Sequence, residues 1–224
     1  MVIFRSSHRV LYRYDASSIS LLILAGSIRV STLEYCRNAE NEFARDTEEG
    51  IKTITSLPGT NSLNSSDLAK LLGVDPRGVH VSGPNAVVTV GENAVNRTET
   101  IENAFVFCTS AIENDSSMKT RFGGGCLKIK DSVAFFELVD EHLRKAVAPH
   151  KLSECVVDDV EYAPRTNNYR DHTTKHNAFI KPYECKSSFE KEVEARGIWI
   201  PQGFKAEPVL LRIPEVPKLL ELLL

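Results

Sequence analysis

The stretch from 9 to 32, R-V-L-Y-R-Y-D-A-S-S-I-S-L-L-I-L-A-G-S-I-R-V-S-T, limits the fold more than any other part of the chain. R-V-L-Y-R-Y alternates and is rich in Val and Tyr, which is strand composition. An apolar run follows from 17 to 25, with Asp15 and Ser17 as candidate N-caps and Gly26 as the stop. I-R-V-S-T, 28 to 32, then alternates again. The opening is therefore β–α–β.

Further along, 33 to 50 is densely charged and reads as a loop or short helix, and I-K-T-I-T (51 to 55) as a strand. Loop chemistry fills 56 to 66, and Asp67 opens a short helix that Gly73 ends. Strands are expected at 79 to 82, 86 to 90, 104 to 109, 126 to 130, 156 to 162 and 209 to 213. Met118 to Phe122 fits either element type. Residues 132 to 147 form the best helix, with Ser132 as cap and Val133, Phe136, Val139, Leu143 and Val147 on one face. The segment 163 to 178 is polar and loop-like. The stretch ending in G-I-W-I at 199 is expected to be a strand of about ten residues. About nine strands and three or four helices without strict alternation predict an α+β fold, with mixed, largely antiparallel sheets and a few packed helices. The 224 residues suit a single domain, 1 to 224, with a sizeable core.

Composition closes some routes. A formal charge of −3 gives a nucleic-acid acceptor no support through bulk electrostatics. Cys36, Cys108, Cys126, Cys155 and Cys185 are odd in number and contain no C-x-x-C pair, so they read as reduced thiols of a cytoplasmic protein. The longest apolar run, I-S-L-L-I-L-A-G, is too short to span a bilayer, and no membrane association is expected. The closing P-K-L-L-E-L-L-L reads first as a terminal helix docked on the body. Its second reading is a contact with a protein partner or another copy of the chain.

The segment S-F-E-K-E-V-E-A-R-G-I-W-I, 187 to 199, places Glu192, Glu194 and Arg196 at every second position. On a strand these share one face at spacings near ~7 Å. A fixed carboxylate there could stabilise positive charge growing on a ribose, a second could orient an acceptor, and Arg196 could grip either carboxylate or a phosphate. The alternative is a solvated face with weak ion pairs. Arg29, Tyr35, Arg37, Glu40, Arg45 and Asp46 interleave cations with one aromatic, which suits a phosphate-and-base pocket or a charged surface loop. Tyr12 and Tyr14 point one way from their strand and Arg13 the other. F-G-G-G-C-L lacks the Lys-Ser/Thr of a phosphate loop and reads as a tight turn. His172 and His176 in H-T-T-K-H lack partners for zinc, and no metal is expected. Cys36 beside Arg37 has no identifiable base to activate it.

Two of these segments together resemble a known pattern. Y-R-Y, an apolar helix, A-G-S-I-R-V-S-T-L-E-Y-C-R-N-A-E and R-D-T-E-E-G, joined to Lys175 through Arg196, resemble a widespread bacterial family of domain-of-unknown-function type. Phe189 stands where that family's late motif carries tryptophan, and Glu192, Glu194 and Arg196 match its remainder. The order of elements is also remotely similar to ADP-ribosyltransferase-like folds. That resemblance implies Arg13 on dinucleotide phosphates, Ser31 or Thr32 bracing a nicotinamide pocket, and Glu192 or Glu194 holding a ribose hydroxyl; Arg29, Tyr35 and Arg37, read above from their residue types, are the further candidates for binding that cofactor. It implies an intracellular bacterial NAD- or nucleotide-using transferase or glycohydrolase, of toxin or antiphage-effector kind. The alternative is a non-catalytic protein-binding module of a defence or regulatory complex. A weaker third is a metal-dependent nuclease built on Glu192, Glu194 and Asp46.

Overall fold

The computed structural model describes residues 1–38, 51–55, 61–63, 88–90, 96–100, 103–148, 150–163, 166–168, 179–182 and 193–223. Their centre is a nine-stranded mixed sheet, which gives the α+β fold that the element pattern predicts. Its strands are β1 (Val2–Phe4), β2 (Leu11–Ala16), β3 (Ser27–Thr32), β4 (Phe105–Ser110), β5 (Gly124–Ile129), β6 (Cys155–Asp159), β7 (Glu194–Trp199), β8 (Val209–Arg212) and β9 (Leu220–Leu222). The order is β1-β6-β7-β4-β2-β5-β9, with β3 branching from β4 and carrying β8 on its far side. Only β1–β6 is parallel.

The β–α–β opening is present as β2, helix α1 (Ser17–Leu24) and β3. Its cap differs from expectation. Ala16 holds the N-cap position and no side chain caps the helix, because the Asp15 carboxylate is taken by Arg13 at 2.6 Å. The Ser17 amide is satisfied instead by the Gly123 carbonyl at 3.2 Å. Gly26 ends the helix at φ +81°, and a Cβ there would lie 2.7 Å from the Ile213 carbonyl oxygen. Two constraints thus fix glycine at one position.

Helix α2 (Leu33–Arg37) follows directly, and α3 (Ser116–Phe122) resolves the ambiguous stretch, with the Asp115 side chain accepting from the Met118 amide. In α4 (Ser132–Ala146) the cap is Asp131, which accepts from the Ala134 amide at 3.1 Å. Ser132, the expected cap, donates its hydroxyl to the Arg9 carbonyl at 2.7 Å. Phe135, Phe136, Val139 and Leu143 are fully buried on one sheet face with Trp199 and Phe107. Val133, expected on that face, is only half-buried, and Asp140 is buried there without any forecast. Its carboxylate accepts from Trp199 Nε1 at 2.9 Å and from Arg144 Nε at 2.9 Å, so the buried indole and carboxylate satisfy each other.

Other expectations are corrected. The carboxyl-terminal segment is a 3-10 turn (Val216–Leu219) leading into β9, which pairs with β5, and not a docked helix. Pro214 and Pro217 break any longer helix, and Leu220 in with Glu221 out is strand alternation. The ten-residue strand is shorter, since β7 begins only at Glu194. Val193 sits at φ +40°, a left-handed backbone that interrupts the pleat. The strand expected over 156 to 162 divides at Val160 into β6 and a piece at Glu161–Ala163. Asn61–Leu63 and Thr166–Asn168, both expected as loop, are short strands, and Asn96–Thr100 is an unforecast partner of Ile51–Thr55. The helix at 67 to 72 and the strand at 79 to 82 fall outside the described residues. Among the described residues no helix is long and apolar enough to cross a membrane.

A Cβ at Gly197 would press into the Phe136 ring within ordinary contact distance. Gly197→Ala should therefore cost about 2 kcal/mol, roughly 4–8 °C in Tm for a chain of this size. Thermal unfolding checks it, and adding Phe136→Leu should restore part of the loss.

Candidate functional site

β4 joins the two ends of the chain. On one edge β7 registers Glu194 with Ser110, Arg196 with Cys108 and Ile198 with Val106. On the other edge Tyr12 of β2 lies opposite Ser110, and Ser31 of β3 opposite Val106. Registered partners share a face, so Arg29, Ser31, Cys108, Ser110, Glu194 and Arg196 all project from one side of the sheet. Gly197 and α4 occupy the other side. Two strand spacings, about 10 Å, separate Glu194 from the strands of the opening. Glu194 and Arg196 of β7 and Arg29 and Ser31 of β3 therefore lie on the same side of the sheet.

Glu194 and Arg196 form an ion pair within β7, with Arg196 Nε 2.6 Å from Glu194 Oε1 and Nη2 3.3 Å from Oε2. Their side chains are 3% and 4% exposed for Arg196 and Glu194. Burial overturns the solvated-face reading of this motif, although its period-two geometry holds from 194 onward. Glu192 lies outside the described residues.

Arg13 is likewise committed. Its Nε and Nη2 donate to both Asp15 oxygens at 2.6 and 3.1 Å, Nη1 donates to the Cys108 carbonyl at 2.6 Å, and the guanidinium lies 5.1 Å from the Phe107 ring centre. β2 and β3 diverge along β4 between Ser110 and Val106, and Arg13 bridges that fork. Burial would pull its pKa down, but Asp15 outweighs burial and the net shift is upward, so it stays charged. Burial, reinforced by Glu194 and opposed by Arg196, pushes the Cys108 thiol well up, so it is a neutral thiol and not a ready nucleophile.

The exposed part of the surface belongs to β3 and α2. The Arg29 guanidinium lies 4.2 Å from the Tyr35 ring centre, and Arg29 Nη1 donates to the Tyr35 hydroxyl at 3.4 Å. Arg37 is half-buried in the last turn of α2. Thr32 caps α2 through its hydroxyl, which accepts from the Tyr35 amide at 3.1 Å, so it positions Tyr35 and braces no pocket directly. Ser31 Oγ is buried with no hydrogen-bond partner among the described residues. A buried hydroxyl in that state fits a ligand atom.

Sequence reasoning missed Asp15, Cys108, Ser110 and Asp158, which is registered beside Arg196 from β6. Asp15 had a signal, since position i+2 on a strand shares the face of Arg13. The others depend on long-range register and had none. Gly123, at φ +96°, turns α3 into β5, in agreement with the tight-turn reading of F-G-G-G-C-L. Asp46, His172, His176 and Cys185 lie outside the described residues, among which no group of His, Cys, Asp and Glu could hold a metal ion.

Arg13→Lys should cost about 1–2 kcal/mol, since an ammonium cannot bridge Asp15 bidentately and reach the Cys108 carbonyl together. Tyr35→Ala should change stability by less than about 0.5 kcal/mol, because its side chain is exposed. Denaturant unfolding of the two variants checks the contrast; equal effects would contradict it. No protein-family model matches the chain, and neither a curated protein nor a solved structure is significantly similar to it.

Proposed function

We propose that the chain is an intracellular nucleotide-using transferase or glycohydrolase of ADP-ribosyltransferase-like type, with NAD as cofactor. The observation that carries this reading is the presence of Glu194, Ser31 and the Arg29–Tyr35 stack on one sheet face across β7, β4 and β3. Arg29 takes a phosphate and Tyr35 a base, while the Ser31 hydroxyl donates to the ligand. Arg13, already bound to Asp15, holds the fork and is not the phosphate ligand that the resemblance implied. NAD would supply the ribose–nicotinamide bond. Glu194 stabilises positive charge on that ribose, and Arg196 fixes the carboxylate's direction. A toxin or antiphage-effector role follows from such chemistry directed at host components.

A second reading, a non-catalytic module that binds a partner protein, is favoured by the pairing of both Arg13 and Glu194. The carboxyl-terminal segment offers little for it, since Val216 and Leu220 are buried against the body. The apolar surface lies on α1, where Ile19, Leu21 and Leu22 are 42%, 60% and 50% exposed.

The purified chain is incubated with NAD, and nicotinamide release and label transfer to protein, RNA and DNA are followed. Wild type should turn over, and Glu194→Gln should lose at least ~100-fold in rate, the scale of removing one preorganised electrostatic group. Arg29→Ala and Tyr35→Ala should raise KM with unchanged melting. A wild type that neither binds nor consumes NAD with any acceptor would reject the enzymatic reading in favour of the binding module.

A further inference from the structure

The pairing of β8 with β3 sets out a small exposed surface. Its antiparallel register places Leu210 opposite Arg29 and Arg212 opposite Ser27. Ile28, Val30 and Leu211 take the alternate positions and are buried in the main core, so the other four side chains point away from it. Leu210 is 64% exposed, and Tyr35, which α2 brings to the same side, is 45% exposed. Both arginines are exposed as well. Arg212 reaches across the strand pair and donates through Nη1 to the Ser27 hydroxyl. Its guanidinium therefore stands over β3, one alternate-residue step, about 6.6 Å, before Arg29. The Arg29 guanidinium in turn lies 4.2 Å from the Tyr35 ring centre.

Charge on this surface has one sign. β3 (S-I-R-V-S-T) and β8 (V-L-L-R) contribute no carboxylate, and among the described residues neither Arg29 nor Arg212 forms an ion pair. Glu34 of α2 is taken by Lys205 Nζ at 3.0 Å and Asn103 Nδ2 at 3.2 Å. Glu207 and Glu215 lie beyond the two ends of β8, behind Pro208 and Pro214. Two cations one step apart suit two anionic groups separated by a sugar, which is the repeat of a nucleic-acid backbone. An aromatic ring that a guanidinium backs on one face offers the other to a base. An acidic peptide would use the arginines but give the ring and the exposed leucine nothing to do.

We infer that the outer face of β3 and β8 binds a single strand of nucleic acid, with successive phosphates on Arg212 and Arg29, a base stacked on Tyr35 and Leu210 against the neighbouring sugar. The chain's formal charge of −3 does not oppose this, because the attraction is local to the face. The surface shares Arg29 and Tyr35 with the NAD reading, whereas Arg212 and Leu210 belong to it alone, and binding requires no turnover.

The test is fluorescence anisotropy of a short labelled oligothymidylate titrated with the full chain, without NAD, over a salt series. Two phosphate contacts predict a slope of log K against log salt near about −1.4, so affinity should fall about sevenfold between about 50 and 200 mM. Arg29→Gln and Arg212→Gln should each bring the slope to about −0.7. Tyr35→Leu should weaken binding at least ~5-fold and leave the slope as it is. Three results would overturn the inference: no binding at low salt, equal binding of the matching duplex, or displacement of the strand by oligoglutamate of equal length. A slope that Arg212→Gln leaves unchanged would do the same, and the exposed Arg29 supplies a second variant should Arg212→Gln melt early. Nicotinamide release plays no part, so failure here and failure of the NAD reading are seen in separate assays.

Discussion

A charged pair buried in the middle of a sheet is the constraint around which the molecule is arranged. Glu194 and Arg196 sit on β7, between β6 and β4, where all six strand residues are buried. Charges there are tolerable only when paired with good geometry, and the bidentate contact supplies it. The opposite face of the same strand carries Ala195, Gly197 and Trp199 against the Phe135–Phe136 layer of α4. One face is thus an aromatic core, the other carries the buried ion pair beside the apolar cluster of Val106 and Ile198, and the pleat of a single strand separates them.

The fork in β4's far edge extends that division. β2 and β3 pair with opposite ends of β4 because α1 lies between them in sequence and packs against both. A gap in a sheet edge leaves backbone groups without a strand partner, and Arg13 answers with a side-chain donor to the Cys108 carbonyl. The arginine that a motif comparison assigns to a ligand is therefore a structural tie. Arg29, Ser31 and Tyr35 lie one strand over, on β3 and α2. Thr32 shows the same economy of roles, setting the angle of Tyr35 from its capping position.

What the sequence revealed follows the range of the interactions. The opening β–α–β was legible because alternation, an apolar run and a stopping glycine are local signals. The shared face of Glu194 and Arg196 was legible for the same reason, since a strand's period is intrinsic. Their burial was not, because it depends on β4 and β6, which come from distant parts of the chain. Caps were misread where other bonds competed: the Asp15 carboxylate went to Arg13 two residues away on the same strand, and the Ser132 hydroxyl to the distant Arg9 carbonyl. L-L-E-L-L-L satisfies helix and strand patterns alike, and pairing with β5 chose between them. Val193 gave no warning at all, since a β-branched residue is the least expected at positive φ.

The buried pair is tested most directly by a double-mutant cycle on Glu194→Met and Arg196→Met, read by denaturant unfolding. Each single change should cost about 3–5 kcal/mol by stranding the other charge, and the double variant should recover most of that loss. Single costs below about 1 kcal/mol that simply add would mark an exposed, weakly coupled pair and contradict the account.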